Sequence, residues 1–161
     1  MKNESSSASP MLPIARATLV AGVLDIVSAF VYGLLEGHGP VLVLLGIASA
    51  VWPGAGRSPV AAAVTGLLVH FAIMLAMAST FVLAARRLAW LRERPVLSGA
   101  LYGLLLWAIM NLVVLPLRWP ALFPRFTVLD VTEQLFSHVV LVGLPIAWLA
   151  RSVRPARSGS V

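Results

Sequence analysis

No cysteine occurs in the chain, which excludes a disulfide framework, a thiolate metal site and a cysteine nucleophile. Charge is nearly as scarce. Charged residues make up 11% of the sequence, half or less of the ~25% usual in soluble domains. Lysine occurs once, against eleven arginines. No HExxH or HxxxH spacing is present, and no recognisable Ser/His or paired-Asp arrangement, so metal-assisted hydrolysis, acyl transfer and membrane proteolysis have no visible motif. The reading is therefore of a non-enzyme, without a catalytic set, a metal site or a cofactor. No basic domain stands outside the apolar stretches, so the net charge of +6 does not point to nucleic acid.

What the chain does have is long apolar runs. Hydrophobic residues account for 60% of it, more than a soluble domain of this length can hide. Four runs stand out: 14–35, 60–85, 96–117 and 131–150. A helix rises about 1.5 Å per residue, so ~20 residues cross a ~30 Å hydrocarbon core. The expected fold is an all-α integral membrane protein, with four transmembrane helices in a compact bundle forming one domain over 14–151. A fifth apolar segment, at about 41–52, is too short to span. It lies between the turn clusters Gly37-His-Gly-Pro40 and Pro53-Gly-Ala-Gly56. It reads as an interfacial or re-entrant helix that enters and leaves by the same face. Residues 1–13 read as a disordered polar tail and 152–161 as a basic tail.

The basic residues set the expected orientation. Lys2, Arg16, Arg86, Arg87, Arg92, Arg94, Arg151, Arg154 and Arg157 fall on one side of a four-span topology, and Arg57, Arg118 and Arg125 on the other. Nine against three puts both termini in the cytoplasm. The cytoplasmic arginine clusters then meet anionic lipid head groups. Arg over Lys, with abundant Ala, Leu, Val and Gly, suggests a high-GC bacterial genome and hence a bacterial inner membrane. Trp52 and Trp119 at one boundary and Trp90 and Trp148 at the other read as an aromatic belt.

A few polar residues interrupt the spans. Asp25 is close to the middle of the first, and Ser28, Tyr32 and Glu36 share its helix face. His70 is at similar depth in the second span, and the two side chains could meet. Asn111 lies in the third span and His138 in the fourth. A polar side chain at this depth is expensive and faces the bundle, so the candidates are Asp25, Tyr32, Glu36, His70, Asn111 and His138. Taken together they predict a wet, titratable cavity opening outward; taken singly, each is an interhelical hydrogen bond. Close helix approach is expected at Gly99 and Gly103, a GxxxG pair, and along Ala72 and Ala76 of the second span. Pro145 should kink the fourth span.

Several short strings carry a family resemblance: Gly66-Leu-Leu-Val-His70, Arg94-Pro95 before Gly99-Ala-Leu-Tyr-Gly103, Met110-Asn111 before Leu115-Pro-Leu117, and Phe136-Ser-His138. Over most of 14–151 the chain resembles the YagU-like group of bacterial inner-membrane proteins. The resemblance implies a multi-span inner-membrane protein with one histidine in the second span and another beginning the last. It also carries a link to acid tolerance. Two functions are therefore expected to compete. One is proton or small-solute handling through the polar cavity. The other is a non-catalytic accessory role, binding a copy of itself or another membrane protein through small-residue helix faces.

Overall fold

A computed structural model describes residues 9–153; the ends of both predicted tails, with Lys2, Arg154 and Arg157, lie outside the described residues. Four helices among them are long and apolar enough to cross a membrane: α1 (Met11–Leu35), α3 (Pro59–Arg87), α5 (Pro95–Arg118) and α6 (Val128–Ala150). Two short helices join them, α2 (Pro40–Ala48) and α4 (Ala89–Glu93). No strand occurs among the described residues. The chain is an all-α, multi-pass membrane protein.

Local chemistry sets the helix ends. Proline occupies the first turn of α2, α3 and α5, where its missing N–H costs nothing and its fixed φ suits the helix. Gly37 closes α1 with a φ of 82°, a left-handed conformation that glycine takes without a Cβ penalty. The backbone N–H of His38 then bonds back to the Gly33 carbonyl at 2.6 Å. Thr127 caps α6, its hydroxyl accepting from the Asp130 N–H at 3.1 Å. This cap starts the fourth span three residues before the position the apolar run suggested.

Packing is sequential around one tightly joined pair. Helix α6 packs on α5 and α1, and α1 packs on α3. The α5–α6 seam is glycine-made. A Cβ at Gly99 would lie 2.8 Å from the Gly143 carbonyl, and one at Gly103 would overlap the His138 carbonyl. Gly143 faces both glycines from the other helix. Ala72 and Ala76 require a correction: both are exposed on the outer surface of α3. The packed face of α3 runs instead through Gly66, His70, Met74, Met77, Phe81 and Ala85. An alanine stripe turned to lipid and one turned to a neighbour have the same composition, so spacing alone does not separate them.

Helices α3 and α5 do not pack along their lengths. They meet near the arginine-rich end, where the Tyr102 hydroxyl donates to the Met77 carbonyl at 2.8 Å and its ring lies 5.0 Å from Phe81. Towards the opposite end they diverge. That end is closed by α2, whose Leu44 carbonyl sits against Gly66 so closely that a Cβ there would overlap it. Arg118 ties the same segment to α5, donating to the carbonyls of Ala50 (2.9 Å) and Ser49. A nine-residue helix is ~14 Å long and does not span.

Candidate functional site

The divergence of α3 from α5 leaves a cavity of about 830 Å³. Asp25, Tyr32, Glu36, His70, Asn111 and His138 all line it, so one space receives polar side chains from all four spanning helices. Asp25, His70 and His138 each lie about ten residues from the α2 end of their helices, or ~15 Å deep, half of a hydrocarbon core. Asn111 is roughly seven residues in, ~10 Å deep.

Asp25 and His70 meet. His70 Nδ1 lies 3.9 Å from Asp25 Oδ2, too far for a direct hydrogen bond and close enough for strong Coulomb interaction. His70 is 6% exposed. It is oriented by its other nitrogen, Nε2, which lies 2.9 Å from the Gly22 carbonyl of α1. Gly22 itself has Phe71 against it, with no room for a side chain. His138 is oriented likewise, its Nδ1 lying 2.8 Å from the Gln134 carbonyl. Asn111 Nδ2 donates to the Trp107 carbonyl at 3.2 Å.

Both Asn111 and His138 stand on π-helical turns, Met110–Val114 and Phe136–Gly143. Each turn is followed within two residues by a proline, Pro116 or Pro145. A proline inside a helix removes a donor and clashes with the carbonyl four residues back, and a wider turn relieves both. The single kink expected at Pro145 is thus an eight-residue π segment that turns His138 towards the cavity.

In two parts of the site the sequence placed Ser28, Tyr32 and Glu36 on the Asp25 face but showed no sign of their partners. Ser28 and Ser137 join α1 to α6, their hydroxyls 3.1 Å apart, with Ser28 also donating to the Asp25 carbonyl at 2.8 Å and Tyr32 within 3.5 Å of Ser137. Ser28 showed in the helix-face pattern, whereas Ser137, on a π turn, did not. At the mouth, Arg125 pairs with Asp130 at 3.1 Å and approaches Glu36 at 4.0 Å, while Glu36 faces His38 at 3.7 Å. Glu133 lines the same mouth. The Thr127–Asp130 capping spacing was the available signal that these acids open a helix there. Asp25, Glu36, Asp130 and Glu133 are four of the six acidic residues in the chain. The acids gather at the cavity while most of the arginines stand at the other end.

The apolar part of the wall includes Ile73 and Met77 from α3 and Met110 and Val114 from α5. No three His, Asp or Glu side chains among the described residues come together as a metal site. No protein family, curated protein or solved structure matches this chain.

Proposed function

We propose that the protein is a bacterial inner-membrane protein, with both termini cytoplasmic, that moves protons or a small solute through this cavity. The observation that supports the reading is the Asp25–His70 pair. Its Nδ1 and Oδ2 stand 3.9 Å apart, about ten residues from the nearest helix end. A carboxylate and an imidazole lone pair repel each other unless a positive hydrogen lies between them. The pair is thus a place to hold a proton at mid-membrane, and ionisable residues at that depth mark ion and proton pathways. The mouth carries three acids, Glu36, Asp130 and Glu133, against one arginine, Arg125, and the surplus of negative charge attracts cations in front of the pair. The resemblance to the YagU-like group, with its link to acid tolerance, belongs to the same proposal.

The test is proton flux. The full chain is reconstituted into vesicles containing a pH-sensitive dye, and an inward proton gradient is imposed. Wild-type vesicles should discharge the gradient faster than empty ones, and Asp25→Asn should return the rate to that of empty vesicles. Equal rates for wild type and Asp25→Asn would remove the proton reading. In that case the accessory role, with helix faces docking a membrane partner, takes its place.

A further inference from the structure

We propose that the deep end of the cavity binds the ammonium head of an organic amine, with the amine's apolar body lying along the open seam between α3 and α5. The inference rests on the reading that this cavity is where the protein works, and it names the solute class. It follows from the polarity of the hydrogen bonds.

A backbone carbonyl only accepts. His70 Nε2 lies 2.9 Å from the Gly22 carbonyl, and His138 Nδ1 lies 2.8 Å from that of Gln134. Those two nitrogens therefore carry the hydrogens. A neutral imidazole has one donor and one acceptor. In the neutral rings both donors are spent on the backbone, so His70 Nδ1 and His138 Nε2 are lone pairs whenever the pair holds no extra proton. Asn111, 8% exposed, spends an amide hydrogen on the Trp107 carbonyl at 3.2 Å. Its Oδ1 is left as an acceptor with no donor among the described residues. The Asp25 carboxylate is in the same position: it accepts no hydrogen bond among the described residues, and its ion-pair contact is His70 Nδ1 at 3.9 Å. The hydroxyls of Ser28 and Ser137 are committed to each other and to the Asp25 backbone.

Four side chains from four helices thus present acceptors, and no protein donor answers them. These acceptors open onto the cavity, since the one fully buried side-chain polar atom without a partner among the described residues is Thr18 Oγ1, and they are free to accept from a donor-rich ligand. A carboxylate or phosphate would add acceptors and a like charge. An alkylammonium carries three N–H donors, one positive charge and no acceptor. A divalent metal needs three or more converging ligands, and among the described residues no such group exists.

The shape selects a body as well as a head. A space of about 830 Å³ is the size of a small-molecule pocket and is far larger than a bare ammonium ion needs. Its walls at the seam are Ile73, Met77, Met110 and Val114. Methionine side chains adapt to varied apolar shapes. The acids at the mouth attract the same charge that the deep end holds.

The test uses dansylcadaverine, a primary alkylamine with an aromatic body, and its N-acetylated form, which keeps the body and loses the charge. Both are titrated by fluorescence at pH 8 into full-chain protein in lipid nanodiscs, with empty nanodiscs subtracted. The amine should bind about tenfold to a hundredfold tighter than the acetylated form, the scale of a charge-assisted hydrogen bond. Asp25→Asn should remove that preference. Asn111→Asp, which adds a second anion at the head site, should tighten the amine by about tenfold. Glu93→Gln, remote from the cavity, should change nothing, and gel filtration checks that each variant is folded. Equal binding of the two probes overturns the proposal, as does Asn111→Asp weakening the amine. Displacement of the amine by one equivalent of zinc would also overturn it, since the site would then be a metal site. The outcome is separable from the flux assay. Amine binding without proton discharge would leave this inference standing and remove the proton reading, and the converse result would do the reverse.

Discussion

At the scale of single residues, the structure is governed by where a backbone can come close and where a polar atom finds a partner. Gly103 shows the first. Without a side chain it rests directly on the His138 carbonyl and on Val139, whose Cα would be 2.6 Å from an added Cβ. Helices in lipid gain little from burying apolar side chains, so such backbone contact is a main source of their association. Gly103→Ala should therefore cost about 1–3 kcal/mol, the usual range for overpacking, read as a lower thermal unfolding midpoint in detergent. Gly46→Ala is the matched control, because nothing lies within 4 Å of that position. There the midpoint should hold or rise, since alanine suits a helix better than glycine. Equal midpoints for the two variants would mean that α5 and α6 do not touch at Gly103. The sequence announced Gly99 and Gly103 through their GxxxG spacing. It gave equal weight to Ala72 and Ala76, which face outward. Glycine separates from alanine here because only glycine lets two backbones touch, so its spacing carries more information.

At the scale of elements, the spans were legible and their internal deviations were not. Apolar length alone placed four helices within a few residues of their observed ends. Turn clusters bounded the short helix. What periodicity did not show is that Asn111 and His138 stand on π turns. An α-helical wheel rotates by 100° per residue, and a π turn inserts one extra residue, so faces drawn across it are out of phase. Pro116 and Pro145 were visible causes of the disturbance without fixing its form. The position of α2 depends on another side chain that composition treats as a topology signal. Arg118 spends its guanidinium on the carbonyls of Ser49 and Ala50, where α2 ends. These groups would otherwise lack partners at a helix C-terminus, and a charged donor makes the stronger kind of bond. Arg118→Leu should release that end. Hydrogen exchange in nanodiscs should quicken over residues 40–50 while the amides of α6 keep their protection. Unchanged exchange over 40–50 would show that the contact with Gly66 holds α2 without the arginine.

At the scale of the whole molecule, charge is distributed with a clear polarity. Four of six acids line one cavity, and of the nine arginines among the described residues six, Arg16, Arg86, Arg87, Arg92, Arg94 and Arg151, lie towards the opposite end. The two distributions are consistent with one orientation. Positively charged loops are retained on the cytoplasmic side during insertion, whereas acidic residues contribute little to that choice. The acids are therefore free to serve the cavity, which faces away from the cytoplasm in this arrangement. The connection between α3 and α5 carries Arg86, Arg87, Arg92 and Arg94 within a few residues of the spans, where the bias acts most strongly. Moving this loop across the bilayer would carry all four charges with it, at roughly 2.5–3.5 kcal/mol for each that lodges at a helix centre. The short α2 keeps the parity even. As a full span it would invert everything that follows it and place this cluster outside. Reporter fusions decide the matter. A fusion after Arg94 and one after Val161 should both behave as cytoplasmic, while one in the 119–127 loop should behave as external. An external signal after Arg94 would mean that α2 crosses the membrane, against its nine-residue length. Glu36 would then stand on the opposite side of the membrane from Asp130 and Glu133, and the mouth at which Arg125 meets both Glu36 and Asp130 could not form.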